Sequence, residues 1–221
     1  MTSTTLPTTL FTLACLSTSA AFAGLGLKTA QQKDLNLTLS VASCKELSER
    51  TLHGAEAEAA RIFRQIGITV QWREIESESA RAAGLDLRIV SQARATPLSK
   101  GGLALTYWAE GSPGTAVVML DRATNLAGER RVPLEVVLGC LIAHELGHVL
   151  LRSPRHSPFG LMRNPWNPDD LHKARAGHLG FTDDQANSIR DAVRQLTDRS
   201  RGRRDEGQKP VLKSKREAPR R

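Results

Sequence analysis

The strongest constraint on this chain is a segment of 18 residues, Leu134–Leu151, that is apolar almost throughout yet carries His144-Glu145-Leu146-Gly147-His148 near its middle. Pro133 before it suits the first turn of a helix. Ser153-Pro154 after it ends one, because proline disfavours helical geometry in the preceding residue. A helix is therefore predicted across the segment. Its flanks, Leu138, Leu141, Ile142, Val149 and Leu150, surround the polar residues with apolar neighbours, and burying two imidazoles and a carboxylate is costly unless they are paired or metallated. Four residues apart on a helix, His144 and His148 share a face one turn apart, so both can offer a nitrogen to one ion at about 2.1 Å. Glu145 turns away from direct ligation but reaches a water beside the ion. The pattern points to a zinc site with Glu145 as general base, against the alternative of a chance match.

The remaining sequence frames this helix in a single α+β domain. Residues 35–41 alternate Leu35, Leu37, Leu39 and Val41 with polar partners, the period of a half-buried strand. Over residues 45–65, Leu47, Leu52, Ala55, Ala59, Ile62 and Phe63 recur at helical spacing, and Gly67 follows as a stop. Residues 68–75, 85–90, 103–108 and 116–120 read as strands, the last two divided by the turn cluster Glu110-Gly111-Ser112-Pro113-Gly114. After the apolar helix comes a loop-rich stretch. Thr182-Asp183-Asp184-Gln185 then forms a capping box for a last helix with Ala186, Ile189, Val193 and Leu196 as its buried stripe. The expected architecture is a mixed, twisted sheet of about five strands packed on two long helices, with a C-terminal helix behind. No internal repeat of about 20 to 50 residues is present, which excludes solenoids and propellers.

The net charge of +8 suggests nucleic-acid binding until it is located. Residues 199–221 hold ten Lys/Arg against three Asp/Glu, so seven of the eight charges sit in that tail. Almost free of apolar residues, it reads as disordered. No specific nucleic-acid partner is expected; contact with an anionic surface is the function such a tail allows, and a solvated tail is the plainer reading. At the other end, residues 10–22 are apolar or small and Ala21-Phe22-Ala23 supplies the small-x-small pattern before Gly24, although no Lys or Arg precedes Lys28. The expected division is a signal peptide over 1–23, a linker over 24–33, a folded domain carrying the zinc motif over 34–198 and the basic tail over 199–221, in a secreted or periplasmic monomer. Lipidation at Cys15 is a minor alternative. The leading apolar run is shorter than the roughly 20 residues a membrane span needs, and no later stretch reaches that length. Cys44 and Cys140 remain after cleavage, either as a disulfide or as two buried thiols.

A catalytic zinc site needs three protein ligands and an open position. His156 is the leading third ligand, because the chain leaves the helix at Ser153-Pro154 and can fold back beneath the ion. No Glu occurs between Glu145 and Glu206, which removes a glutamate ligand from a following helix. Asp169 and Asp170 are at a usable separation but look like the start of a helix in the context Asn164-Pro165-Trp166-Asn167-Pro168. Cys140, one turn before His144, is a conceivable fourth ligand, which would make the site structural.

Together, His144 to His148, His156-Ser157 and Gly160-Leu161-Met162 resemble the metzincin clan of zinc peptidases, and their His-Ser and Gly-Leu-Met pieces resemble its matrixin type. The chain differs from the usual pattern in a third histidine placed two residues later, in Arg152-Ser153-Pro154 where that turn carries glycine, and in the closeness of Met162 to His156, so a divergent, metzincin-like protein is expected. The resemblance implies a zincin-like fold, Met162 as the turn methionine beneath the metal, and hydrolysis of a peptide or protein substrate by a metal-activated water with Glu145 as base. It also implies that substrate pairs with an exposed strand edge, supplied by residues 103–108 or 116–120. Tyr107, His172 and His178 are not expected to act. Two other classes stay open: a catalytically silent zinc-binding module recognising an extracellular or envelope partner, favoured if Glu145 points away from the cleft, and a polyanion binder acting through the tail.

Overall fold

The computed structural model describes residues 35–75, 85–91, 102–107 and 114–207. The predicted signal peptide, the predicted linker and residues 208–221 of the tail lie outside the described residues.

Among the described residues, five strands form one sheet: β1 (Leu35–Ser43), β2 (Ile68–Glu74), β3 (Leu85–Val90), β4 (Ala104–Tyr107) and β5 (Thr115–Met119), in the order β2-β1-β3-β5-β4. All neighbours are parallel except β4, which runs antiparallel to β5 with Thr106 opposite Ala116. The sheet is thus mixed, with β4 at one edge and β2 at the other among the described residues. Alternation in the sequence becomes sidedness here. Leu35, Leu37, Leu39 and Val41 of β1 and Leu85, Leu87 and Ile89 of β3 are buried, whereas Asn36 is exposed on the other side.

Among the described residues, five helices accompany the sheet: α1 (Glu49–Gln65), α2 (Leu120–Arg130), α3 (Leu134–Leu151), α4 (Pro168–Arg175) and α5 (Asp183–Gly207). Two of them, α2 and α4, stand where no helix was assigned from the sequence, although Asp169 and Asp170 had marked the start of α4. Its Asn167 cap and Asp170 bond each other's backbone amides, at 2.8 and 3.0 Å. The predicted box at α5 is also formed, with Thr182 N–H donating to Gln185 Oε1 at 3.0 Å and Gln185 N–H to Thr182 Oγ1 at 3.4 Å. That helix runs to Gly207, beyond the domain end expected at residue 198.

Helix α3 is the centre of the core. Every residue from 137 to 150 is buried, so among the described residues the one helix apolar and long enough to cross a membrane is covered by protein. It packs on α1 at very short range. A Cβ on Gly139 would stand 2.5 Å from Glu58 Cβ and 2.8 Å from the Ala55 carbonyl oxygen, closer than real carbons approach. Beside that crossing lies Cys140, whose Sγ is 4.0 Å from Glu58 Oε1. Cys44 and Cys140 are both buried and unbridged, which excludes the disulfide and leaves the alternative of two free thiols.

Candidate metal centre

The apolar face of α3 that carries His144 and His148 meets a returning segment, and the return is made by backbone geometry at the helix end. Arg152 adopts the left-handed conformation, φ 46° and ψ 42°, in which Ser153 N–H donates to the His148 carbonyl at 3.3 Å. This is the reversal that glycine usually provides, here made by a residue with a Cβ at some cost in strain. The chain then passes His156 and closes on itself through Ser157 N–H to the Met162 carbonyl at 2.8 Å. Gly160 (φ 69°) permits the next close approach, because a Cβ there would stand 2.8 Å from the Gly180 carbonyl oxygen.

The outcome is a cluster of His144, His148 and His156, whose ligand atoms all lie within 4.8 Å of one another and which can hold a metal ion. The ring centroid of His156 is 5.4 Å from that of His144 and 4.9 Å from that of His148. Hydrogen bonding fixes the tautomers of the helical pair. His144 Nδ1 faces the Leu161 carbonyl and His148 Nδ1 the Ser153 carbonyl, each at 2.7 Å. A carbonyl oxygen only accepts, so both Nδ1 atoms carry the proton. In the neutral rings each Nε2 is then a lone pair, and the two Nε2 atoms face each other at 3.1 Å. Two lone pairs at that range repel unless a cation lies against both. Carbonyl partners on the far nitrogen are also the arrangement metal-bound histidines normally show.

Burial keeps protons from filling the gap. It lowers the His144 pKa to about 4 against the raising effect of the Leu161 carbonyl, with His148 and His156 lowering it further. Burial likewise depresses His148, and its Ser153 partner opposes this. At neutral pH the pair is uncharged, the state a metal requires.

Glu145 is 6% exposed, and burial raises its pKa to about 7 against the opposing hydrogen bond from Thr106. Thr106 lies on the edge strand β4, with Oγ1 2.5 Å from Glu145 Oε2 and 3.2 Å from the Glu145 carbonyl oxygen. Glu145 and all three histidines line one cleft of about 620 Å³, bounded by β4, by Leu126 and Arg130 of α2, and by residues 163–166. The predicted base therefore faces the cleft.

Other predicted residues also have definite places. Met162 is fully buried against α3, since a Cβ on Gly147 would stand 2.6 Å from its Sδ. Asp170 serves its capping box and an ion pair with Arg163 at 3.5 Å, and neither it nor Asp169 joins the cluster. Cys140 does not join either: its thiol faces α1, which removes the closed four-ligand site. Of the two strands proposed to carry a free edge, 116–120 is excluded, because β5 lies between β3 and β4. His172 and His178 are exposed and stand outside the cluster.

Three participants went unseen in the sequence. Besides Thr106, Asn164 Nδ2 lies 3.1 Å from His156 Nε2, and Trp166 packs edge-on to His144 at 5.8 Å while donating Nε1–H to the same Leu161 carbonyl at 3.0 Å. The dense Asn164-Pro165-Trp166-Asn167-Pro168 string was the available signal for the last two. No protein-family model matches the chain, and no curated protein is significantly similar to it.

Proposed function

We propose that this protein is a zinc-dependent peptidase, a divergent relative of the metzincins, that hydrolyses a peptide or protein substrate in the cleft beside His144, His148 and His156. The observation that carries the reading is the pair of Nε2 lone pairs 3.1 Å apart, with a third imidazole beside them and a buried carboxylate lining the same cleft. Three imidazoles and an open side suit catalytic zinc, whereas structural zinc sites favour cysteine and fourfold closure. A bound zinc would supply Lewis acidity, polarising a carbonyl and acidifying water.

The chain's own residues supply the rest. Glu145, held by Thr106, accepts a proton from the attacking water and returns it to the leaving amine. Strand β4 offers its outer edge to an extended peptide, with main-chain hydrogen bonds giving affinity independent of sequence. Met162 supports the floor of the site through Gly147. Glu145 facing the cleft argues against a silent metal-binding module, for which a buried carboxylate there has no use.

The test is hydrolysis of denatured casein by the zinc-loaded protein, compared with Glu145→Ala. Cleavage by the first alone supports the reading; equal cleavage by both, or none by either, overturns it.

A further inference from the structure

Resting on the peptidase reading, a second residue of the reaction emerges from the contact between β4 and α3. Among the described residues, Thr106 is the one side chain hydrogen-bonded to the Glu145 carboxylate. The hydroxyl touches Glu145 twice, at Oε2 and at the main-chain carbonyl, so it fixes the carboxylate relative to the helix that carries it as well as to the strand. With Oε2 engaged, Oε1 is the oxygen left to meet water. The strand bearing this hydroxyl is one edge of the sheet, paired on one side with β5 and on the other with nothing described. A peptide lying along that edge would therefore bond to the strand that positions the base.

We propose that Thr106 is a positioning residue for Glu145, and that through it the strand holding an extended substrate sets the base in register with the peptide bond to be cut. Thr106→Val keeps the shape and β-branching of the side chain and removes only the hydroxyl, while Thr106→Ser keeps the hydroxyl. A misplaced reacting group costs far more in turnover than in binding.

The experiment uses the full zinc-loaded chain with fluorophore-labelled denatured casein, and measures kcat, KM and zinc content for both variants. The expected result is a fall in kcat of about tenfold or more for Thr106→Val with KM within about twofold and zinc retained, and near wild-type kcat for Thr106→Ser. Unchanged kcat in Thr106→Val, an equal loss in both variants, or loss of zinc overturns the proposal. An activity-independent arm unfolds the chelated chain in urea as wild type, Thr106→Val, Glu145→Ala and the double variant. Non-additive shifts in midpoint are expected, and additive shifts overturn the contact itself. Wild type that cleaves nothing sinks the peptidase reading, while this cycle still decides whether Thr106 holds Glu145.

Discussion

Removing the titratable carboxyl of Glu145 changes the pH dependence of the metal-free protein in a calculable way. In the folded chain, burial raises this carboxyl from its ordinary 4.5 to about 7. The folded state then binds a proton that the unfolded state has released between those two values. Stability from this group is full below pH 4.5 and is lost as pH rises through about 7. At about 1.36 kcal/mol for each pH unit, the loss is about 3 kcal/mol. His144 acts oppositely, since its depressed pKa of about 4 costs stability as pH falls from 6.5 toward 4, so the two effects are separated by difference. Urea unfolding of the chelated protein from pH 4.5 to 8, run beside Glu145→Gln, isolates the carboxylate because the histidines are common to both. The variant should gain on wild type by about 3 kcal/mol across that range, and a bound dication should shrink the gain by compensating the buried charge. Parallel curves for the two proteins would refute the argument that an uncompensated carboxylate is buried beside the metal centre.

Three further outcomes are expected. His156→Ala should weaken zinc binding at least about 100-fold by competition with a chromogenic chelator, and unchanged affinity would remove His156 from the site. Gly139→Ala should lower stability by about 1–2 kcal/mol in thermal melts, because crowding against Ala55 and Glu58 outweighs the gain in helix propensity; a stabilised variant would contradict the close α1–α3 crossing. Burial pushes the Cys140 thiol well above its ordinary 9.0, so this thiol should resist alkylation until the protein unfolds and reductant should leave the Tm unchanged, whereas a reductant-sensitive Tm would reveal a disulfide.

What was legible in the sequence was local. Helix α3, its two histidines and the Thr182 box each depend on residues within one or two turns, and the strands were marked by alternation in β1 and by local runs and turn residues elsewhere. Helix α2 escaped because its buried residues are Leu120, Ala123 and Ala127, a thin stripe, and because it starts directly after Met119 of β5 with no capping side chain. The reversal at Arg152 was hidden by the lack of a glycine. Thr106 and Glu145 are 39 positions apart, and a contact of that kind depends on which strand becomes the sheet edge, which alternation does not encode. Leu161 shows the same limit from the other side: its carbonyl, which orients both His144 and Trp166, has no signature in residue type.

Zinc content and casein hydrolysis, measured together on the purified protein as wild type, His156→Ala and Glu145→Ala, bear most directly on the central claim. The account predicts one zinc per chain in wild type, weakened binding in His156→Ala, and retained zinc without hydrolysis in Glu145→Ala. Absence of bound metal from all three proteins would contradict it.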